Sequence, residues 1–377
     1  MTFRTCSAKH VKLQRVRLPP DGRASWLVLD EMYQPIRPIQ AFVVYMTQIE
    51  RSPHTVRAYA HHLSLYWAYL IEVGVNWTTV GLNELARFIS WLRAPREKVV
   101  SFNGPAVRRG ESTINLALTA VAMFYDYHAR VGTVADLPLY RSQAWPSHRY
   151  KGFLHHLARN SPVRTRVLKL KAPRRQARTL SAEDVAKVVA ACRNRRDKLL
   201  VSLLYETGMR IGQALGLRHE DIQSWDNVIR IVPRDNNSNG ARAKTRDPYI
   251  VHVSRELMGL YTDYLVHEFD DTASDYVFVN LWEGEHGRPL SYGAVADLFR
   301  RLSRTTSVGI HPHLLRHTHA TDLLRSGWDA AHVGKRLGHA QIQTTLNIYT
   351  HLTDDDLKSA YRTYLEKSTA HAANSEC

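Results

Sequence analysis

Apolar residues recur at three-and-four spacing over 37–50 (RPIQAFVVYMTQIE) and 54–73 (HTVRAYAHHLSLYWAYLIEV), and the same period returns over 82–93 and 112–129. After an extended opening, these stretches predict a bundle of about four helices. Ser52-Pro53 is the start signal of the second, and Gly74, Gly104 and Gly132 punctuate the bundle. Tyr66, Trp67 and Tyr69 are read as core residues rather than base-stacking platforms. A second series begins at Ser181, an N-cap with Glu183 and Asp184 in the first turn, and runs to about Cys192. A helix over 195–207 stops at Gly208, and the chain turns through Met209-Arg210 into a short helix. Period-two runs at 227–233 (NVIRIVP) and 246–253 (RDPYIVHV) predict strands, joined through the long Asn/Gly-rich NNSNGARAK segment. Helices are predicted over about 255–267, 292–304, 312–326, 329–337, 341–350 and 354–366.

Length and charge divide this pattern in two. A chain of 377 residues is long enough for two domains, each with its own core. No apolar run approaches the roughly 18 to 20 residues that span a bilayer, and the charged opening lacks the core of a secretory signal. The expectation is a cytoplasmic protein with no membrane partner. Cys6, Cys192 and Cys377 lie far apart and are read as unpaired thiols. The net charge of +16 points to an acidic polymer, and its distribution is uneven. Residues 1–178 hold 27 Lys and Arg against 10 Asp and Glu, whereas 179–377 hold 24 against 25. Within the first half, 134–178 carries eleven basic residues and one acid, broken by Pro138, Pro146, Pro162 and Pro173. Arginines beside Tyr140, Trp145 and Tyr150 favour phosphate contact for this strap over a merely solvated connector.

His313 and Arg316, three apart in HPHLLRHTHAT, share a face in the first turns of a helix that starts at Pro312. Free N–H groups, positive potential and a guanidinium fork suit an anion. A zinc site is the alternative, because His313 and His317 stand at i, i+4 with His311 and His319 nearby. Position 314 is Leu where a zincin needs Glu, and no carboxylate follows until Asp322, so no metal is expected.

As a set, TGMRIGQALGL (207–217), HPHLLRHTHATDLLRSG (311–327), LGHAQIQTT (337–345) and NIYTHL (347–352) resemble the catalytic boxes of the tyrosine recombinase, or phage integrase, family, in order and separation. The boxes span about 140 residues of the C-terminal half. The resemblance implies that Arg210 and Arg316 hold the non-bridging oxygens of a scissile phosphate. His313 assists the phosphate and the tyrosine proton, His339 donates to a phosphate oxygen, and Tyr349 is the nucleophile. Lys244, on the hairpin and flanked by Arg242 and Arg246, matches the family's general acid, a role for which arginine is too weak an acid. Tyr361 and Tyr364, in an amphipathic segment, are read as packing residues. Where the family commonly carries Glu or Asp, this chain has Gln213, which replaces the hydrogen bond to the arginine but not the charge.

The implied architecture is mainly α with a small antiparallel β-sheet. An N-terminal helical core-binding (SAM-like) domain and a C-terminal α+β catalytic domain form a C-shaped clamp around double-stranded DNA. The expected divisions are an N-terminal arm 1–36, core-binding domain 37–133, basic linker 134–178, catalytic domain 179–353 and C-terminal helix and tail 354–377. The C-terminal helix is expected to dock on a neighbouring protomer in a homo-tetramer on two DNA sites, with or without a partner recombinase. The implied function is site-specific cleavage and rejoining through a 3′-phosphotyrosine, with no cofactor, metal or ATP, in a nucleoid-associated integrase or transposase of a mobile element. A non-catalytic DNA-binding regulator, a type IB topoisomerase and a metal-dependent nuclease are the competing readings.

Overall fold

A computed structural model describes residues 11–18, 23–94, 109–143, 163–172, 178–245, 247–269 and 272–338, in two compact units, Met1–Arg174 and Arg175–Cys377. Predominantly helical with small antiparallel sheets, it has the expected fold class. Among the described residues no helix is long and apolar enough to cross a membrane.

The first unit opens with an antiparallel hairpin, β1 (Lys12–Leu18) and β2 (Arg23–Leu29), in register from Lys12↔Leu29 to Leu18↔Arg23. Four helices follow: α1 (Arg37–Gln48), α2 (Pro53–Val73), α3 (Leu82–Arg93) and α4 (Glu111–Arg130). Ser52 starts α2 as expected, its hydroxyl accepting the Thr55 N–H at 3.2 Å, and α2 ends on Gly74 at φ 66°. Phe42, Leu63, Tyr66, Phe88, Leu92 and Phe124 meet in the core, with Tyr69 buried and Trp67 packed at its edge, as the periodicity indicated. The Tyr66 and Tyr125 hydroxyls pair at 2.8 Å and Tyr125 donates to Trp77 O at 2.8 Å, so neither buried phenol lacks a partner.

Part of the basic 134–178 stretch belongs to this unit. β3 (Tyr140–Gln143) pairs with β4 (Val163–Arg166), and Leu139, Leu168 and Leu170 pack on the bundle. The Asn115 amide holds both polar groups of Leu170's backbone at 2.9 Å. Such reciprocal pairing satisfies the chain where it crosses apolar α4.

The second unit begins with α5 (Ala182–Ala190), capped by Ser181, and α6 (Arg195–Thr207), capped by Asn194. Next come α7 (Ile211–Leu215) and a three-stranded antiparallel sheet, β5 (Ile222–Gln223), β6 (Val228–Ile231) and β7 (Tyr249–His252). α8 (Arg255–Tyr264) was expected to run to about 267. It instead widens into a π turn at Leu265–Phe269, where Glu268 accepts the Arg195 and Arg196 N–H groups at 2.8 and 2.9 Å. α9 (Tyr292–Thr306), α10 (Pro312–Arg325) and α11 (Ala330–Leu337) complete the described chain. The helices expected at 341–350 and 354–366 lie outside the described residues.

Candidate active site

Two arginines 106 positions apart converge here. α6 ends at Gly208, whose φ of 62° reverses the chain, and Arg210 follows as the residue that opens α7. Arg316 projects from the second turn of α10, which His311 starts by accepting the Leu314 N–H on Nδ1 at 3.2 Å. His311, one of the histidines weighed for zinc, is therefore a helix cap. Among the described residues no group of His, Cys, Asp and Glu is arranged to hold a metal.

Arg316 is 4% exposed, donating to Gly208 O at 2.7 Å and Leu337 O at 3.0 Å. Arg210 reaches the neighbouring carbonyl, Gly338 O, at 3.4 Å. Both guanidiniums thus rest on one turn, and among the described residues no carboxylate forms an ion pair with either. Burial first, then the like charge of Arg210, pulls the Arg316 pKa down to about 9, and burial also lowers that of Arg210. Two crowded, partly dehydrated cations make a site whose electrostatics favour an anion.

His313 stands one turn before Arg316, its ring 4.6 Å from that of His317 at 80°. It is exposed by area, yet partial burial of the ring, followed by His317, Arg316, His311 and Arg210, pulls its pKa down to about 4. At neutral pH it is an unprotonated base beside two fixed cations.

Lys244 stands apart. It is exposed, at φ 56°, on the loop between β6 and β7, and among the described residues no hydrogen bond or ion pair joins it to either arginine. That long loop is nevertheless fixed. Asn239 donates to Leu215 O at 3.0 Å and Leu290 O at 2.9 Å, and Asn237 donates to Ala241 O at 2.9 Å. Arg242 O lies so close to α7 that a Cβ on Gly212 would fall 2.3 Å from it. His339 and Tyr349, with Tyr361 and Tyr364, lie outside the described residues.

Three neighbours were not singled out for this site from the sequence. Tyr249 of β7 accepts from Gln213 Nε2 at 3.1 Å, and its ring faces Gly338. Arg336 donates through Nε to His319 Nε2 at 3.2 Å and through Nη2 to Glu206 O at 3.1 Å, tying α11 to α10 and α6. Buried His319 has its pKa pulled down to about 3 by burial, then Arg336 and Arg316, which keeps Nε2 free to accept. Gln213 was expected to stand in for an acid on the arginine side chain. Its Oε1 instead accepts the Arg210 main-chain N–H at 2.7 Å, the back-bonding half of a capping box.

Against this geometry, residues 178–356 match the phage integrase family and 39–132 match its N-terminal SAM-like domain. The chain is 42% identical over 359 residues to transposase A from transposon Tn554 of Staphylococcus aureus, covering 95% of this chain and 99% of that protein. It is 28% identical over 318 residues to tyrosine recombinase XerC of Pseudomonas syringae pv. tomato, covering 82% and 89%. Among solved structures, the Tn1549 transposon integrase in complex with transposon right end DNA aligns with a TM-score of 0.60 at 16% identity, covering 87% of this chain and 99% of that one. XerH bound to palindromic difH in a post-cleavage complex aligns at 0.57 and 18% identity, covering 83% and 80%.

Proposed function

Because this chain belongs to the phage integrase family of DNA-cleaving and rejoining recombinases, we propose that it recombines duplex DNA at specific sites as the transposase of a mobile element, through a covalent 3′-phosphotyrosine. The observation that carries the reading is the convergence of half-buried Arg210 and buried Arg316 on the Leu337–Gly338 turn, with no carboxylate among the described residues paired to either. A phosphodiester entering there would exchange its hydration for two guanidinium forks that need no reorganisation as charge builds on the non-bridging oxygens. The Tyr349 phenol would attack phosphorus while its proton passes to neutral His313, whose hold on a proton strengthens once the anion is bound. The 5′-oxygen would depart with a proton from Lys244, and His339 would donate to a non-bridging oxygen. One phosphate ester replaces another, so the second strand's 5′-hydroxyl can reverse the step without ATP. Transposon relatives support the mobile-element role, and the DNA-bound neighbours support duplex DNA as partner. A homo-tetramer on two sites, with the C-terminal helix docked on the next protomer, is the assembly we propose.

The test is covalent trapping on nicked duplexes that carry the ends of the element encoding the chain, with EDTA present. Wild type should yield a protein–DNA adduct and Tyr349→Phe none, with DNA affinity unchanged. Adduct formation by the Phe variant would move the nucleophile elsewhere, and chelator-sensitive cleavage would favour a metal nuclease.

A further inference from the structure

Gln213 and Tyr249 form a hydrogen-bond chain whose direction is fixed by its first member. The main-chain N–H of Arg210 can only donate, so the Gln213 atom facing it at 2.7 Å is the amide oxygen. Its Nε2 must then donate to the Tyr249 hydroxyl at 3.1 Å. That leaves the phenol proton to point onward, where Leu337 O lies at 3.5 Å, a long bond to a carbonyl whose other lone pair serves Arg316. The ring closes the same turn from the side. Gly338 is at φ 62°, and a Cβ there would fall 2.7 Å from Tyr249 Cε1 and 2.8 Å from Cζ.

Tyr249 thus reaches Leu337 O and packs against Gly338, two of the three residues whose carbonyls hold the guanidiniums. We propose that Tyr249 is a positioning residue for the Arg210–Arg316 pair, with Gln213 as the amide that orients its hydroxyl toward the Leu337–Gly338 turn. The inference rests on reading that pair as a phosphate site. It also gives a physical reason for Gln at a position where the resemblance leads one to expect an acid. A carboxylate accepts on both oxygens, so it would take the phenol proton for itself and turn it from Leu337. An amide, accepting at one end and donating at the other, passes the direction on. The phenol and the amide are a matched pair.

Phenylglyoxal modification of Arg210 and Arg316 in the full chain, mapped by peptide mass with and without inorganic phosphate, tests this without knowledge of the DNA site. In Tyr249→Phe, which keeps the ring, Arg210 should react about fivefold faster and phosphate protection should weaken about fivefold, the scale of one lost hydrogen bond. The thermal midpoint should stay near that of wild type. Gln213→Glu should shift reactivity and protection the same way with the ring and hydroxyl both present, and it stands in if the Phe variant does not fold. Wild-type rates in both variants would overturn the proposal, leaving Tyr249 as filler. Absence of phosphate protection in the wild type would instead remove the phosphate reading of the site, while the DNA-free rates would still decide the positioning role.

Discussion

Replacing Gly208 by Ala separates two effects that usually travel together. Gly208 has φ 62° and Gly327, in the same unit, has φ 90°, so alanine meets the left-handed penalty at both. That penalty is about 1–2 kcal/mol, offset by about 0.4–1 kcal/mol because alanine restricts the unfolded chain. At Gly327 nothing among the described residues lies within 4 Å of the new Cβ, so a net loss of about 1 kcal/mol is the whole effect. At Gly208 the Cβ would stand 2.6 Å from Leu337 Cδ2 and 2.7 Å from His319 Cδ2. Neither neighbour can swing away, since Leu337 is 1% exposed and Arg336 holds the His319 ring. Overpacking of this kind adds about 1–3 kcal/mol, for a total of about 2–4 kcal/mol. Urea unfolding of the full chain, following the second unit's transition, measures both variants. Displacement of Leu337 and Gly208 also shifts the two carbonyls that Arg316 uses, so Gly208→Ala should lose adduct formation while Gly327→Ala retains it. Equal stability losses in the two variants would refute the argument from close approach.

Acid should weaken both units. His62 and His319, each over nine-tenths buried, have pKa values pulled by burial from 6.5 to about 4 and about 3. Folded values below the unfolded one mean that the unfolded chain protonates first. Their contribution is complete above pH 6.5 and is lost as the pH falls toward 4 and 3, by up to about 2 kcal/mol each at pH 5. Urea midpoints that do not move between pH 7 and pH 5 would contradict this. Asp197, fully buried, receives Arg196 and Arg301 at 2.8 Å each and joins the start of α6 to α9. Asp197→Ala should cost about 3 kcal/mol in the same assay, because it strands the largely buried Arg196, while exposed Arg301 stays hydrated.

Local patterns carried most of the helical architecture. α3 and α6 begin and end where the periodicity places them, because their caps and apolar faces lie within a few residues. The β6–β7 pairing was legible from alternation, while His313 and Arg316 were singled out by their spacing and Arg210 by the family resemblance. Less legible was anything whose partner is remote in sequence. The first hairpin finds its apolar support on α2, and the basic 134–178 stretch hides Leu139, Leu168 and Leu170, which matter because they pack on the bundle and because α4 presents Asn115 to the Leu170 backbone. Tyr249 shares an inward face with buried Val251, which marks it as facing protein but not as facing Gly338. Arg336 gave no signal, since its acceptors lie on two other helices.

The two carbonyls under Arg316 belong to chain segments more than a hundred residues apart, so the side chain proposed to meet phosphate is also a crossbrace. Drift at this position would not produce a quiet, inactive descendant. It would leave the Gly208 carbonyl short of a donor and Leu337 O with only the long Tyr249 bond, and loosen the junction of α6, α10 and α11, exposing the product to proteolysis before any non-catalytic role could be selected. In this chain the route from recombinase to inert DNA-binding relative requires repacking as well as loss of chemistry.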